Sequence, residues 1–211
     1  MRRGVFITFE GGEGTGKTTQ IERLAARLRG RGRDCVVTRE PGGTELAEAI
    51  RSLLLDPDHA PDGLSELFLL EAARHDHVER VIRPALERGA VVLCDRFADS
   101  SWVYQGVVRG IGEREVERLN EVATGGLEPD LTLVLDLDPR QALGRALDRN
   151  SAASSRESRL DDEPMDFHQN VRRGFLRLAE RFPQRVRVVD AAGDADEVHR
   201  RVLAVLPGEL A

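Results

Sequence analysis

"EGGEGTGKTT" (residues 10–19) contains Lys17, the one lysine among the 31 lysine and arginine residues of this 211-residue chain. The stretch fits the phosphate-loop pattern G-x-x-x-x-G-K-[ST] and stands between a strand pattern and a helical pattern. In such a loop, glycines let backbone N–H groups point at phosphate oxygens, and the helix start adds partial positive charge. A lysine supplies a compact charge to the β- and γ-phosphates that an arginine fork would not replace. The stretch therefore predicts a nucleoside triphosphate site.

Strand-like and helix-like patterns alternate along the rest of the chain. Nearly continuous apolar runs, typical of parallel strands buried on both faces, predict strands at 4–9, 35–39, 90–94, 131–137 and 186–190. Helical periodicity predicts helices at 18–30, 64–86 with a bend at Pro84, 112–124, 139–149, 165–182 and 195–205. This order predicts one α/β domain over 1–211, a three-layer P-loop NTPase fold with a five-stranded parallel sheet flanked by helices. The Ser-rich segment 150–159 has no apolar period, so we expect a flexible lid at about 149–162.

Composition limits the class of protein. Hydrophobic residues make up 40% and charged residues 32%, as in ordinary soluble globular proteins, and the net charge of −6 argues against a nucleic-acid partner. Glu10 interrupts the first apolar stretch, and no run approaches the roughly 18 residues that a membrane span needs. Cys35 and Cys94 lack the spacing of a disulfide framework or a metal site. We therefore expect a cytoplasmic protein. The five histidines also lack metal-site spacing, and surface positions are expected for them.

Charged residues follow two further predicted strands. Arg39 ends the second strand, and Asp95 and Arg96 follow the third. Because ligands of open α/β sheets bind at the carboxyl ends of the strands, these side chains are expected near Lys17. The oxygens of Asp95 and Thr18 would suit Mg²⁺. Guanidinium groups would neutralise an acceptor that already carries a phosphate, whereas a hydroxyl acceptor would need a carboxylate base.

Three other functions fit parts of this pattern. A regulatory GTPase would need a further lysine in its guanine-reading motif, and the chain has none. A deoxynucleoside kinase would need a carboxylate base, for which Asp95 or Glu40 could serve, so residue chemistry alone leaves this function open. A non-catalytic nucleotide-binding module is disfavoured by the intact Lys17, Thr18 and Asp95 and by the arginines of the lid.

Five stretches resemble the thymidylate kinase family. They are FEGGEGTGKTTQ, TREPGGTELAEAIRSLLL, DRFADSSWVYQG, PDLTLVLDLDP and RLDDEPMDFHQNVRRGFLRLA, which stand in family order and span about residues 5–180. The resemblance implies a homodimeric P-loop kinase that uses ATP and Mg²⁺ to phosphorylate dTMP to dTDP, with ADP as the other product, in dTTP synthesis. The net charge and the lack of a long apolar run, described above, predict no nucleic-acid or membrane partner.

The resemblance also implies roles for individual residues. ATP would be bound by Gly11, Gly12, Glu13, Gly14, Thr15, Gly16, Lys17, Thr18, Thr19 and Arg145. The dTMP ligands would be Glu13 at the 3′-hydroxyl, Arg39 and Arg96 at the phosphate, Arg74 at a thymine carbonyl, Ser101 and Gln105 at the base edge, and Tyr104 beneath the sugar. The catalytic set would be Glu13, Lys17, Asp95, Arg96, Arg156 and Arg159, with Thr18 and Asp95 at the metal. The P-loop carries no basic residue before Lys17, which resembles the subgroup whose catalytic arginines come from the lid.

Three positions depart from the family pattern. Leu70 stands four residues before Arg74, where the family usually has an aromatic residue that stacks on thymine. Trp102 and Val103 stand where smaller or aliphatic residues are common. We expect Leu70 to be a core residue of a long helix. These departures concern the recognition of the base and leave the phosphate chemistry unchanged.

Overall fold

The computed structural model describes residues 4–56, 58–59, 61–145, 163–208 and 210. Its strands are β1 (Val5–Glu10), β2 (Cys35–Arg39), β3 (Val91–Asp95), β4 (Leu131–Asp136) and β5 (Val186–Asp190). They form one parallel sheet in the order β2-β3-β1-β4-β5. The predicted strands are confirmed, with ends that agree to within one residue. The three central strands β1, β3 and β4 are almost continuously buried, whereas the edge strands β2 and β5 alternate between buried and exposed residues.

The central strand β1 places the phosphate loop at the middle of one sheet edge. β3 and β4 pair with β1 on opposite sides, so the strand order reverses there and a crevice opens beyond the strand ends. The sheet register sets Arg39 of β2 beside Asp95 of β3, and Asp95 beside Phe9 of β1. The residues that follow these three strands therefore meet at one edge of the sheet.

Helices cover both faces of the sheet. They are α1 (Lys17–Gly30), α2 (Glu45–Leu55), α3 (Gly63–His77), α4 (Arg83–Glu87), α5 (Ala98–Ser101), α6 (Glu113–Thr124), α7 (described over 139–145), α8 (Met165–Arg181) and α9 (Ala195–Ala204). Two π-helical segments, Val78–Ile82 and Trp102–Val108, continue α3 and α5. Where the chain is described, the predicted helix ends agree to within one residue. None of the described helices is long and apolar enough to cross a membrane.

The predicted bend at Pro84 takes a specific form. The helical run Gly63–Glu87 widens into the π-helical segment Val78–Ile82 directly before α4. Pro84 has no N–H to donate to the preceding turn, and its ring crowds the carbonyl four residues earlier. The widened turn accommodates that crowding and keeps the chain helical.

Sequence periodicity did not predict α2 or the helical run from α5 through Val108. In α2 only Ala47 and Leu54 are buried, whereas Leu46 and Leu53 are exposed, so the apolar residues do not mark one buried stripe. The helix begins at a capping residue, Thr44, whose Oγ1 accepts a hydrogen bond from Ala47 N at 3.1 Å. This cap was the local signal available in the sequence.

Trp102 and Val103 pack in the core between the 102–108 segment, α6 and α8. The indole Nε1 of Trp102 donates to Glu117 Oε1 at 3.0 Å. Val103 lies so close to Gly174 of α8 that a Cβ at residue 174 would stand 2.7 Å from Val103 Cγ1. These two departures from the family pattern therefore concern helix packing.

Candidate active site

The phosphate loop connects β1 to α1 through glycines with positive φ angles. At Gly11 φ is 131° and at Gly14 it is 70°, a region that glycine adopts readily. A Cβ at Gly11 would lie 2.5 Å from Leu135 O, and one at Gly14 would collide with the carbonyl of Ala142. The loop therefore packs tightly against the end of β4 and the start of α7, which fixes the direction of its backbone N–H groups.

Lys17 is buried at the start of α1 and folds back over the loop. Its Nζ donates to Gly12 O at 2.9 Å and to Gly11 O at 3.4 Å. Burial, followed by the positive charge of Arg96, lowers the pKa of Lys17 below its usual value. An anion placed at this ammonium would relieve both effects, which is the behaviour expected of a phosphate-binding cation.

Thr18 and Asp95 bring a hydroxyl and a carboxylate together beside the loop. Thr18 Oγ1 lies 3.3 Å from Asp95 Oδ2. Within the described ranges, no group of three or more His, Cys, Asp or Glu residues could hold a metal ion. The oxygen pair fits Mg²⁺, which commonly takes one or two protein ligands and fills its other positions with water and phosphate oxygens.

A cleft of about 1080 Å³ opens at the carboxyl ends of β1, β2 and β3. Its lining includes most of the predicted site residues: Glu13, Gly14, Gly16, Lys17, Thr18, Thr19, Arg39, Arg74, Asp95, Arg96, Ser101, Tyr104 and Gln105. Gly11, Gly12 and Thr15 line a small cavity of about 20 Å³ behind the loop. The cleft thus joins the predicted triphosphate site to the predicted acceptor site.

Arg96 links these two parts of the cleft. Its backbone has a φ of 68°, unusual for a residue with a side chain. Its Nη1 donates to Gly11 O at 3.1 Å and to Ser100 Oγ at 3.2 Å, and its Nη2 donates to Glu13 Oε1 at 2.6 Å. The guanidinium also lies over the Tyr104 ring, 5.2 Å from its centre. These contacts hold a cation at the boundary between the loop and the acceptor side.

Glu10, which sequence reasoning missed, supports the loop that carries Arg96. Its fully buried carboxylate accepts from Phe97 N at 2.8 Å and from Ser100 Oγ at 2.6 Å. Burial raises the pKa of Glu10 to about 7. The available signal was a charged residue at the end of an otherwise apolar strand, which requires partners when buried.

Arg39 and Arg51 line the side of the cleft formed by β2 and α2. Arg39 is half-exposed, and its Nη2 pairs with Glu48 Oε2 at 3.0 Å. Arg51 was not predicted because it lies on the missed helix α2, and its Nη1 donates to Pro41 O at 3.1 Å. Burial, and then the charge of Arg39, lower the pKa of Arg51. Together with Arg96, these residues make this part of the cleft suited to an anion.

Arg74 is held rigidly at the far end of the cleft. Its Nε donates to Glu40 Oε2 at 2.8 Å, and its Nη1 donates to Glu71 Oε1 at 2.6 Å and Asn120 Oδ1 at 2.7 Å. Its Nη2 donates to Ser101 Oγ at 3.0 Å. These bonds use four of the five guanidinium protons, and the second Nη2 proton has no acceptor among the described residues. The arrangement leaves one oriented donor for a ligand.

The histidine prediction was wrong for His77 and His168, which are both buried. His77 Nδ1 lies 3.0 Å from Glu40 Oε1, and its Nε2 lies 2.6 Å from Thr38 Oγ1. His77 thereby joins β2 to the carboxylate that holds Arg74. The Nε2 of His168 has no hydrogen-bond partner in the described part of the chain. Helical spacing alone did not indicate which histidines pack inward.

Leu70 lines the cleft and is only partly buried, so the prediction of a core position was wrong. It lies one helical turn from Glu66 and one from Arg74, and the (i, i+4) spacing puts all three on one face of α3. That face borders the cleft, whereas neighbouring α3 residues such as Leu67 pack into the core.

Arg145 lies outside the cleft lining. Its Nη1 donates to Ala191 O at 3.2 Å and its Nη2 to Gly193 O at 3.0 Å, so it holds the loop that follows β5. The other two predicted arginines, Arg156 and Arg159, lie outside the described residues, and their roles remain predictions.

Comparison with known proteins agrees with this geometry. A family model described as thymidylate kinase matches residues 9–202. The thymidylate kinase of Desulfosudis oleivorans is 51% identical over 207 residues, covering 96% of each chain. That of Deinococcus radiodurans is 48% identical over 206 residues, covering 98% of each chain. A crystal structure of thymidylate kinase from Ehrlichia chaffeensis, 34% identical, superposes with a TM-score of 0.79 and covers 97% of this chain and 100% of that one. With a phosphate loop, a parallel sheet and relatives matched along nearly its whole length, the chain belongs to the thymidylate kinase family.

Proposed function

We propose that this protein transfers the γ-phosphoryl group of ATP to dTMP, producing dTDP and ADP, as a step in dTTP synthesis. Membership of the thymidylate kinase family supports the reaction. The observation that carries it is a single cleft lined both by the phosphate loop with Lys17 and by Arg39, Arg51 and Arg96. Such a cleft can hold two phosphate-bearing molecules end to end.

The triphosphate would occupy the loop side of the cleft. Backbone N–H groups of the loop and of the start of α1 would face the phosphates, and Lys17 would reach the β- and γ-phosphates. Thr18 and Asp95 would hold Mg²⁺, which neutralises charge on the phosphate oxygens when bound. Arg156 and Arg159 of the lid are proposed to stabilise the transferring group. In the reaction, the bond from the γ-phosphorus to ADP breaks and one to a dTMP phosphate oxygen forms.

The acceptor phosphate would bind among Arg39, Arg51 and Arg96. Two unit charges about 4 Å apart at an effective dielectric of about 20 interact by ~4 kcal/mol, so facing phosphates need such neutralisation. Arg39 pairs with the exposed Glu48 and can exchange that carboxylate for a phosphate. Arg96 would contact both the acceptor phosphate and the triphosphate side of the cleft, because it already binds the phosphate loop through Gly11 and Glu13.

The nucleoside of dTMP would lie toward α3. Arg74 would donate its remaining Nη2 proton to a thymine carbonyl, with Ser101 and Gln105 beside it. Tyr104 would lie beneath the sugar, and Glu13 would meet the 3′-hydroxyl. Leu70 lines the same region and would contact the base with an aliphatic surface.

A deoxynucleoside kinase is less well supported. Such an enzyme would need Asp95 or Glu40 as a base, but Asp95 lies at Thr18 and Glu40 is engaged by Arg74 and His77. An assay with Mg-ATP against dTMP, dUMP, dCMP, thymidine and UMP tests the proposal. We expect dTMP to have the highest kcat/KM. Preferential phosphorylation of thymidine would overturn it.

We also propose a cytoplasmic homodimer. Large exposed apolar side chains concentrate on α2 and α3, which pack against each other: Leu46, Leu53, Leu55, Leu64 and Phe68. A second copy of the chain would cover this surface. Light scattering should give the mass of two chains, and Phe68→Asp should shift the chain toward monomers. A purely monomeric wild-type protein would contradict the dimer.

A further inference from the structure

Glu66 and Gln105 form a buried, hydrogen-bonded pair at the wall of the cleft. Gln105 Nε2 donates to Glu66 Oε1 at 2.6 Å, and both side chains line the cleft. Glu66 stands on the cleft face of α3, two turns before Arg74. Gln105 stands in the Trp102–Val108 segment, four residues after Ser101, which accepts from Arg74. The pair therefore borders the region where the proposed base would lie.

The Glu66 contact fixes the orientation of the Gln105 amide. A glutamine amide has one donating end and one accepting end, whereas an ionised carboxylate only accepts. The amide nitrogen must therefore face Glu66, and Oε1 must face away. In the part of the chain that the structure describes, Gln105 Oε1 accepts no hydrogen bond. This oxygen is also not fully buried. It is thus an acceptor that a ligand in the cleft can reach.

We propose that Glu66 is a positioning residue that makes the cleft select 4-oxo pyrimidines over 4-amino pyrimidines, by turning the Gln105 carbonyl oxygen toward the base. This inference rests on the proposed function. Thymine and uracil present a carbonyl at C4 and an N–H at N3, which match the Arg74 donor and the Gln105 acceptor. Cytosine presents an amino group and an unprotonated nitrogen there, so both contacts would be mismatched. A mismatched buried group is costly because it loses its water without gaining a partner.

The test is Glu66→Gln, in which residue 66 can donate as well as accept. The Gln105 amide can then turn over, so the ratio of kcat/KM for dTMP to that for dCMP should fall about ten- to a hundredfold. The ratio of kcat/KM for dTMP to that for dUMP is an internal control, because thymine and uracil both present a carbonyl at C4 and an N–H at N3. This ratio and the KM for ATP should stay constant. Glu79→Gln makes the same change in an exposed pair with Arg83 and should alter neither ratio. An unchanged dTMP to dCMP ratio in folded Glu66→Gln would overturn the inference.

Exchanging the two residues provides a second test, which can be used even when the single variant does not fold. In Glu66→Gln/Gln105→Glu, the new amide donates to the new carboxylate, whose other oxygen again faces the base as an acceptor. We expect the dTMP to dCMP ratio to return toward the wild-type value, and a ratio that stays low in the folded double variant would count against the inference. Failure of the proposed function is distinguishable, because wild-type protein would then not phosphorylate dTMP at all.

Discussion

Lys17 and Arg96 donate to the same oxygen atom, the carbonyl of Gly11, at 3.4 Å from Lys17 Nζ and 3.1 Å from Arg96 Nη1. One cation belongs to the phosphate loop and the other to the turn after β3, so the two proposed substrate sites share a backbone atom. The two positive charges repel each other, and Arg96 contributes to the lowered pKa of Lys17. Phosphate oxygens bound between them would convert this repulsion into attraction.

Lys17→Ala should reduce kcat by at least roughly 10²- to 10³-fold, because the transferring phosphoryl group loses its ammonium. The fold should persist, since the change removes a buried cation that faces another cation. Kinetics and thermal unfolding of the same preparation provide the measurement. Activity close to that of the wild type would refute the role of the phosphate loop.

Arg39→Ala should weaken dTMP binding far more than ATP binding. The lost charge-assisted contact is worth about 1.5–3 kcal/mol, which corresponds to roughly a ten- to hundredfold rise in the KM for dTMP. Arg23→Ala removes an exposed arginine that pairs with Asp196, and it serves as the control. Equal effects of Arg39→Ala on both substrates would remove the assignment of Arg39 to the acceptor phosphate.

Glu10→Gln should change how stability depends on pH. The pKa of Glu10 is raised from its ordinary 4.5 to about 7, so the folded chain binds more protons at Glu10 than the unfolded chain between these values. The free energy of unfolding therefore falls as pH rises through this window, by about 2–3 kcal/mol between pH 5 and 8. Glutamine keeps one acceptor oxygen, which can still serve Phe97 N, and turns an amide nitrogen toward Ser100 Oγ, but it does not titrate. Denaturant unfolding of both proteins at several pH values should show curves that diverge above pH 5, and parallel curves would contradict the prediction.

His77→Gln and His77→Asn form a matched pair. Asparagine places an N–H near the position of Nδ1 and can still donate to Glu40, whereas glutamine reaches toward the Nε2 position and cannot. Compared with His77→Asn, we expect His77→Gln to have a free energy of unfolding lower by about 1–3 kcal/mol and a higher KM for dTMP, because Glu40 then holds Arg74 less well. Denaturant unfolding and steady-state kinetics of both variants measure these differences. Equal losses in both variants would show that the contact with Glu40 has no special role.

The strands and the phosphate loop were predictable because their signals are local. An apolar run such as VVLC specifies a buried strand through its own composition, and the glycines around Lys17 specify the loop through their backbone freedom. The strand patterns put Arg39 and Asp95 at strand ends. Their closeness in space then followed from the rule that parallel strands end at one edge of the sheet.

The contacts of Arg74 could not be predicted in this way. Two of its partners, Glu40 and Asn120, lie 34 and 46 residues away in the chain, so no pattern within a single helix or strand announces them. The burial of His77 and Glu10 and the cleft position of Arg51 depend likewise on how separate elements pack. Leu70 shows the same limit, because an apolar residue on a helix suits a core face and a cleft face equally well.

Local patterns in the chain therefore specified the sheet and the phosphate loop, and the resemblance of five stretches to the thymidylate kinase family indicated the reaction. The packed structure added the orientation of the side chains: which protons of Arg74 remain available, which end of the Gln105 amide faces the cleft, and which cations meet at Gly11. The physical reason is that backbone conformation responds to neighbours along the chain, whereas hydrogen-bond direction and burial depend on groups brought together from distant segments.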